Sequence, residues 1–426
     1  MVMLALLALA VASPATPTLD APVETLTLEQ ALGELDARNP TLAQARSRAE
    51  EALGVVKQAA APLLPTLAAT GSYTRNSEQL KLGLPGNPPV TMQPLEAFTG
   101  GGSLRVPLVV PDAWFGLGAA RDAALAAAAS SDATRLALRA ALLQTAWSAA
   151  AGEEIVAASQ RAVDAAREQV RSSRRQLQAG TGTNLAILQA QTEATRRESD
   201  LVRARSETAR AELALAVLLG RTGPVRIPLG EPRPAGATDL TALSAESLER
   251  RPEIRAQASL VRSSERQARA AWWRLAPQIS ATGQAFAADV PYPTGKKEGW
   301  RVSVDLTWTL YDGGFRYGKV RQAEAAEDGA RAAETSQRLA VLQEVQDGVR
   351  DVEVARERLR LGDEERATAA EAAASAKRGF DAGVASSLDV LTANDRLYQT
   401  EVAVADARAR LGGALAALDR AVGRLP

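Results

Sequence analysis

Carboxylates and serines are the side chains left to do chemistry here, because the 426 residues contain no histidine and no cysteine. That removes thiolate nucleophiles, imidazole general bases, disulfides and zinc sites built on Cys or His. Only three methionines occur, Met1, Met3 and Met92, so a dedicated soft-metal site is not expected. The glycine-rich run "GTGTN" (Gly180, Thr181, Gly182, Thr183, Asn184) lacks the Lys of a phosphate loop. It also joins helix to helix rather than strand to helix, so it is not a nucleotide site. No set of acids and serines converges on a pocket, and we expect neither an enzyme nor a bound cofactor or metal.

The elements around these residues are mostly helical. Aromatic residues make up 4% of the chain and Ala-rich runs dominate, which points to long, closely packed helices. Lys+Arg and Asp+Glu balance at 50 each and are interspersed, so nothing suggests nucleic acid. The opening "MVMLALLALAVASPATP" reads as a signal peptide over 1–12, with a small-x-small site at Ala10-Val11-Ala12. No Lys or Arg precedes its apolar run, so the true start is expected upstream. No apolar run is long enough for a membrane-spanning helix.

The chain is written twice. Pro40 aligns with Pro252 and Pro65 with Pro277 at an offset of 212. Gly180 aligns with Gly383, Leu185 with Leu388 and Leu188 with Leu391 at 203. Each copy predicts a helix after its first Pro, a hairpin, a long helix, a Gly turn and a second helix. The expected layout is a first repeat over 24–222, with its hairpin in 64–110 and long helices in 111–220. A Pro/Gly-rich linker with little helix follows over 223–243, then a second repeat over 244–426, with hairpin in 277–311 and helices in 314–423. Val390, Leu397, Val404, Leu411 and Leu418 repeat at sevens, and Leu342, Val345, Val349, Val352 and Leu359 follow three-four spacing, as in coiled-coil seams.

The strands are the anomaly. In "RVSVDLTWTL" (301–310), Val302, Val304, Leu306, Trp308 and Leu310 alternate with polar residues, giving one apolar and one hydrophilic face. Two hairpins flanked only by long helices cannot cover such a face in water. A barrel in an outer membrane can, with apolar side chains toward lipid and polar ones toward a wet lumen. Val302, Val304, Leu306 and Trp308 are then lipid-facing, and Trp300 and Trp308 mark the two aromatic girdles. Four strands per chain are too few for a membrane barrel, so the barrel must be shared between chains.

Two copies of helix, hairpin, long helix, Gly turn and helix, with "NP" near the start, "WTLYDGG" closing a strand and "AGVASSLDVLTANDRLY" after the last turn, resemble the TolC family of outer-membrane efflux proteins. The resemblance covers the whole mature chain. It implies a mainly α fold with a membrane β-barrel: a homotrimer whose twelve strands close one barrel and whose helices form a periplasmic α-barrel. It implies a passive exit duct for efflux or type I secretion, working with a periplasmic adaptor and an inner-membrane transporter. The tips Gly180, Thr181, Gly182, Gly383 and Val384 would contact the adaptor, and the end segments with the linker would form an equatorial belt.

Carried over residue by residue, the resemblance makes Asp389 of "SSLDVL" the acid of the periplasmic constriction, flanked by Leu388, Thr392 and, from the first copy, Leu185. Three such acids would form a cation-attracting ring; an exposed acid at a helix start is also what a helix dipole favours. The family's second acid is Thr392 here, its supporting Arg is Ala385, its aromatic is Phe380 without a hydroxyl, and the first-copy match to Asp389 is Ala186. A polar latch is therefore expected to be missing, and a closed state would rest on packing of Leu185, Leu188, Leu388 and Leu391. The competing reading is a periplasmic coiled-coil adaptor or scaffold without a pore, which gives no reason for four alternating strands.

Overall fold

The computed structural model of the chain describes residues 23–83, 90–232, 239–291 and 296–424. The signal-peptide segment lies outside them. Among the described residues eight strands and eight α-helices follow as two copies of one plan, with β3 and β4 added in the first. The first runs β1 (Glu24–Thr25), α1 (Leu28–Arg38), α2 (Pro40–Ala60), β2 (Thr66–Arg75), β3 (Leu80–Leu82), β4 (Val90–Gln93), β5 (Glu96–Val109), α3 (Pro111–Gln178) and α4 (Asn184–Leu218). The second runs β6 (Val225–Arg226), α5 (Leu240–Arg250), α6 (Pro252–Trp273), β7 (Gln278–Ala288), β8 (Glu298–Thr307), α7 (Phe315–Asp381) and α8 (Ser387–Val422).

Local chemistry explains the boundaries. Pro40, Pro111 and Pro252 each open a helix, where a missing N–H costs nothing. Thr27 and Asp239, equivalent at the 212 offset, cap α1 and α5 through their side-chain oxygens. Gly180 and Gly383 adopt φ of 76° and 77°, a conformation that stops each long helix and that other residues rarely take.

The chain forms two compact units, one of Met1–Ala45, Ser131–Pro252 and Arg338–Pro426, the other of Arg46–Ser130 and Glu253–Gln337. In the first unit Leu35, Leu42, Leu142, Leu215 and Leu219 make one fully buried cluster. Val345, Val349, Val352, Leu411 and Leu418 make a second, so both heptad-like seams are core. The duplication also survives as ion pairs. Arg221 holds Glu34 through two nitrogens, at 2.6 and 2.5 Å. Its counterpart Arg424 holds Glu246, the counterpart of Glu34, in the same forked manner.

In the second unit the two hairpins share one antiparallel sheet in the order β2-β5-β7-β8. Registers run unbroken from Thr66↔Arg105 to Arg75↔Glu96 and from Gln278↔Thr307 to Ala287↔Glu298, while the one from Thr99↔Ala288 to Val109↔Ile279 shifts at a bulge between Pro107 and Val109. The glycine run Gly100–Gly102 sits where β5 passes closest to β7: a Cβ on Gly101 would lie 2.7 Å from the Ala285 carbonyl oxygen.

Several expectations need correction. β8 ends at Thr307, which pairs with Gln278, the first residue of β7, so Trp308 and Leu310 lie beyond the strand; the Trp308 indole N–H donates to the Leu275 carbonyl at 3.1 Å. Within the hairpin expected over 64–110, alternation alone places the second strand from Ser103 onward, but β5 starts at Glu96, seven residues earlier. Within the 223–243 linker, β6 pairs in parallel with β1, and α5 begins at Leu240.

Candidate functional site

Two places carry the residues singled out above, and each lies within one unit. The first is the sheet. One face presents Leu67, Ala69, Gly71 and Tyr73 of β2, Leu104 and Val106 of β5, Ile279, Ala281, Gly283 and Ala285 of β7, and Trp300, Val302, Val304 and Leu306 of β8. In the single chain Leu67 is 81% exposed, Trp300 78% and Val302 68%, so no element among the described residues covers this face. The other face presents Thr66, Thr70 and Ser72, Ser103 and Arg105, Ser280, Thr282 and Gln284, and Arg301, Ser303 and Asp305. Ser72 and Thr99 hydrogen-bond across strands at 2.7 Å, and the Ser303 hydroxyl donates to Asp305 at 3.0 Å. β2 and β8 are open edges about ten residues long, and an edge of that length demands a partner.

The second place is the pair of helix starts after the Gly turns. Leu185 and Leu188 of α4 and Leu388 and Leu391 of α8 line one groove of about 490 Å³, with Thr192, Thr392 and Asp395 beside them. All four leucines expected to pack together are therefore brought together. Leu185, Leu188 and Leu388 remain more than half exposed in the single chain. Gly180, Thr181, Gly383 and Val384 are exposed at the turns, and Gly182 is half-buried.

Asp389 is the third residue of α8 and belongs to a capping box. Its carboxylate accepts from the Ser386 N–H at 2.8 Å and the Ser386 hydroxyl at 2.7 Å, and its own N–H donates back to Ser386 Oγ at 3.2 Å. The Ser386 hydroxyl and then its backbone N–H hold the Asp389 carboxyl below the ordinary carboxylate range. A depressed folded pKa contributes stability at neutral pH, and that contribution is lost as pH falls through the folded value. In the first copy the cap is half as complete, with Thr183 Oγ accepting from the Ala186 N–H and no acid answering.

Sequence reasoning missed the tie between these helices. Arg197 of α4 is only 3% exposed. Its Nε donates to Glu193 at 2.6 Å, Nη1 to Asp200 at 3.3 Å, and Nη2 to Asp395 of α8. Its guanidinium also lies over the Tyr398 ring at 4.5 Å, and Tyr398 meets Ser159 of α3 at 3.2 Å. Burial opposes the Arg197 charge, but Asp395 and Glu193 outweigh it and push its pKa up. A polar link between helix starts therefore exists, built on other residues than Ala385 and Thr392. Glu193, Arg197 and Asp200, spaced to share one helix face, were the signal available. Phe380 is buried at the turn, where Gln176 Nε2 donates to its carbonyl at 3.4 Å.

Among the described residues no group of acids could hold a metal ion, and no helix is long and apolar enough to cross a membrane. The family described as "Outer membrane efflux protein" matches residues 31–221 and 243–424. No curated protein sequence matches the chain. Among solved structures, the outer-membrane protein VceC from Vibrio cholerae is 20% identical, with TM-score 0.79 over 93% of this chain and 96% of that one. The MtrE outer-membrane channel of Neisseria gonorrhoeae is 22% identical, with TM-score 0.79 over 93% and 88%. CusC is 19% identical, with TM-score 0.81 over 96% and 97%. These likenesses show a shared fold.

Proposed function

The chain belongs to the outer membrane efflux protein family, and on that premise we propose that three copies form a continuous exit duct across the periplasm and the outer membrane. One observation carries the reading: a four-stranded sheet with one apolar and one polar face and two open edges. Joining β8 of one copy to β2 of the next satisfies both edges and gives twelve strands around a wet lumen. The apolar face then meets outer-membrane lipid. The helices form the periplasmic tunnel, and the exposed turns at Gly180 and Gly383 meet a periplasmic adaptor that links the duct to an inner-membrane transporter. That transporter supplies the energy, whether cargo is a small molecule or a secreted protein. The groove of Leu185, Leu188, Leu388 and Leu391 forms the narrow end, with Asp389 and Thr392 beside it. Purified protein added to planar bilayers should give discrete, long-lived conductance steps; a protein that binds vesicles without conducting would contradict the duct.

Within that reading, Asp389→Asn removes three negative charges near the narrow end. It should lower preference for potassium over chloride, read as a shifted reversal potential in a salt gradient, and weaken block by multivalent cations. It should also shorten the persistence of the α8 start, because an amide accepts the Ser386 bonds less strongly than a carboxylate. Unchanged ion selectivity would remove Asp389 from the pore.

A further inference from the structure

The polar face of the sheet carries more positive than negative charge, and its placement is regular. Within the four strands that face holds Arg105 on β5, Arg301 on β8 and one acid, Asp305. Arg105 stands between Thr66 and Thr282 on the neighbouring strands, and Arg301 stands opposite Gln284. Both arginines are exposed, and neither is engaged in an ion pair among the described residues. Asp305 is four residues along from Arg301 and is occupied by the Ser303 hydroxyl.

In the order β2-β5-β7-β8 the arginines occupy the second and fourth strands. Closing three copies edge to edge therefore puts an arginine on every second strand. At a strand spacing of about 4.8 Å, the two arginines of one copy stand roughly 10 Å apart around the wall and differ by about 7 Å in height. The straight-line distance is then about 12 Å, roughly one and a half bulk Debye lengths at physiological salt, so enclosure rather than proximity must join their fields. Low-dielectric walls focus such fields into the enclosed water, and Thr66, Thr282 and Gln284 add neutral groups able to hydrogen-bond an anion.

We propose that Arg105 and Arg301 form an anion-attracting girdle in the barrel lumen, selective for small solutes bearing two or more phosphate or carboxylate groups. This rests on the trimeric-barrel reading. The forked guanidinium suits such groups and remains charged at any working pH.

The test is block of single channels in planar bilayers by tripolyphosphate added to the barrel side. The expected result is block of the unaltered protein that is relieved in 1 M potassium chloride, as screening requires. In a variant carrying Arg105→Gln and Arg301→Gln the half-blocking concentration should rise roughly tenfold, the low end of what focused charge does to local ion concentration. A variant carrying Arg105→Lys and Arg301→Lys keeps the charge and should retain most of the block. Conducting channels with equal block in the unaltered and glutamine forms would overturn the girdle and leave the duct standing. Absence of any conducting channel would overturn the barrel reading and the girdle with it.

Discussion

Leu306→Arg should impair assembly of the barrel, while Asp305→Arg, one residue away, should leave it intact. Leu306 is 63% exposed in the single chain and pairs with Ile279 on the apolar face. Asp305 pairs with Ser280 on the polar face. Leu306 is the ninth of the ten residues of β8, so an arginine there costs less than the about 2–4 kcal/mol of a mid-membrane site on the lipid side, and a trimer meets that cost three times. The Asp305 position is wet on the proposed reading, so an added guanidinium stays solvated and only the Ser303 hydrogen bond is lost. The check is the amount of detergent-resistant oligomer recovered from outer membranes. Equal recovery of the two variants would mean that the faces have been assigned wrongly.

Arg197→Met should destabilise the helical part by about 3–5 kcal/mol, the usual cost of removing one partner from a buried ionic cluster. The side chain is 4% exposed and sits among Glu193, Asp200 and Asp395. Without it, among the described residues, Arg196 is the cation left beside them, at 3.7 Å from Glu193 and 3.8 Å from Asp395, and Asp395 keeps a hydrogen bond from Gln399 Nε2 at 2.8 Å. The cation–π contact with Tyr398 goes as well. Thermal melts in detergent should show the loss, and Asp395→Asn in the same chain should recover part of it, because the two sites share one network. A melt unchanged by Arg197→Met would make the cluster energetically idle.

These two sites differ in how far they could be read beforehand. Of the long helices expected in 111–220, the first is Pro111–Gln178, because a first-turn proline and a left-handed glycine turn punctuate it with local chemistry. Alternation likewise revealed β2, β7 and β8, since a half-buried strand writes its two faces directly into the residues. Alternation nevertheless overran at Trp308, because it reports side chains and not the ladder hydrogen bonds that end a strand. It undershot at β5, where Gly100, Gly101 and Gly102 have no side chains to alternate. β1 and β6 are two residues each and leave no period at all.

The candidate site was legible in the same uneven way. The leucine groove followed from matching the two copies, and capping by Asp389 follows from "SSLD", a Ser three residues before an acid. The Arg197 cluster was only half visible. Glu193, Arg197 and Asp200 lie within eight residues, but Asp395 joins them from 198 positions away, a pairing that only the packed helices reveal.

The central claim is that the sheet is one third of a closed wall. The mass of the protein extracted from outer membranes in detergent, measured by light scattering with the detergent contribution subtracted, tests it most directly. One chain is 44.7 kDa before any leader is removed. The account predicts a single species of three chains, stable on dilution. A monodisperse single chain that stays in solution without detergent would contradict it.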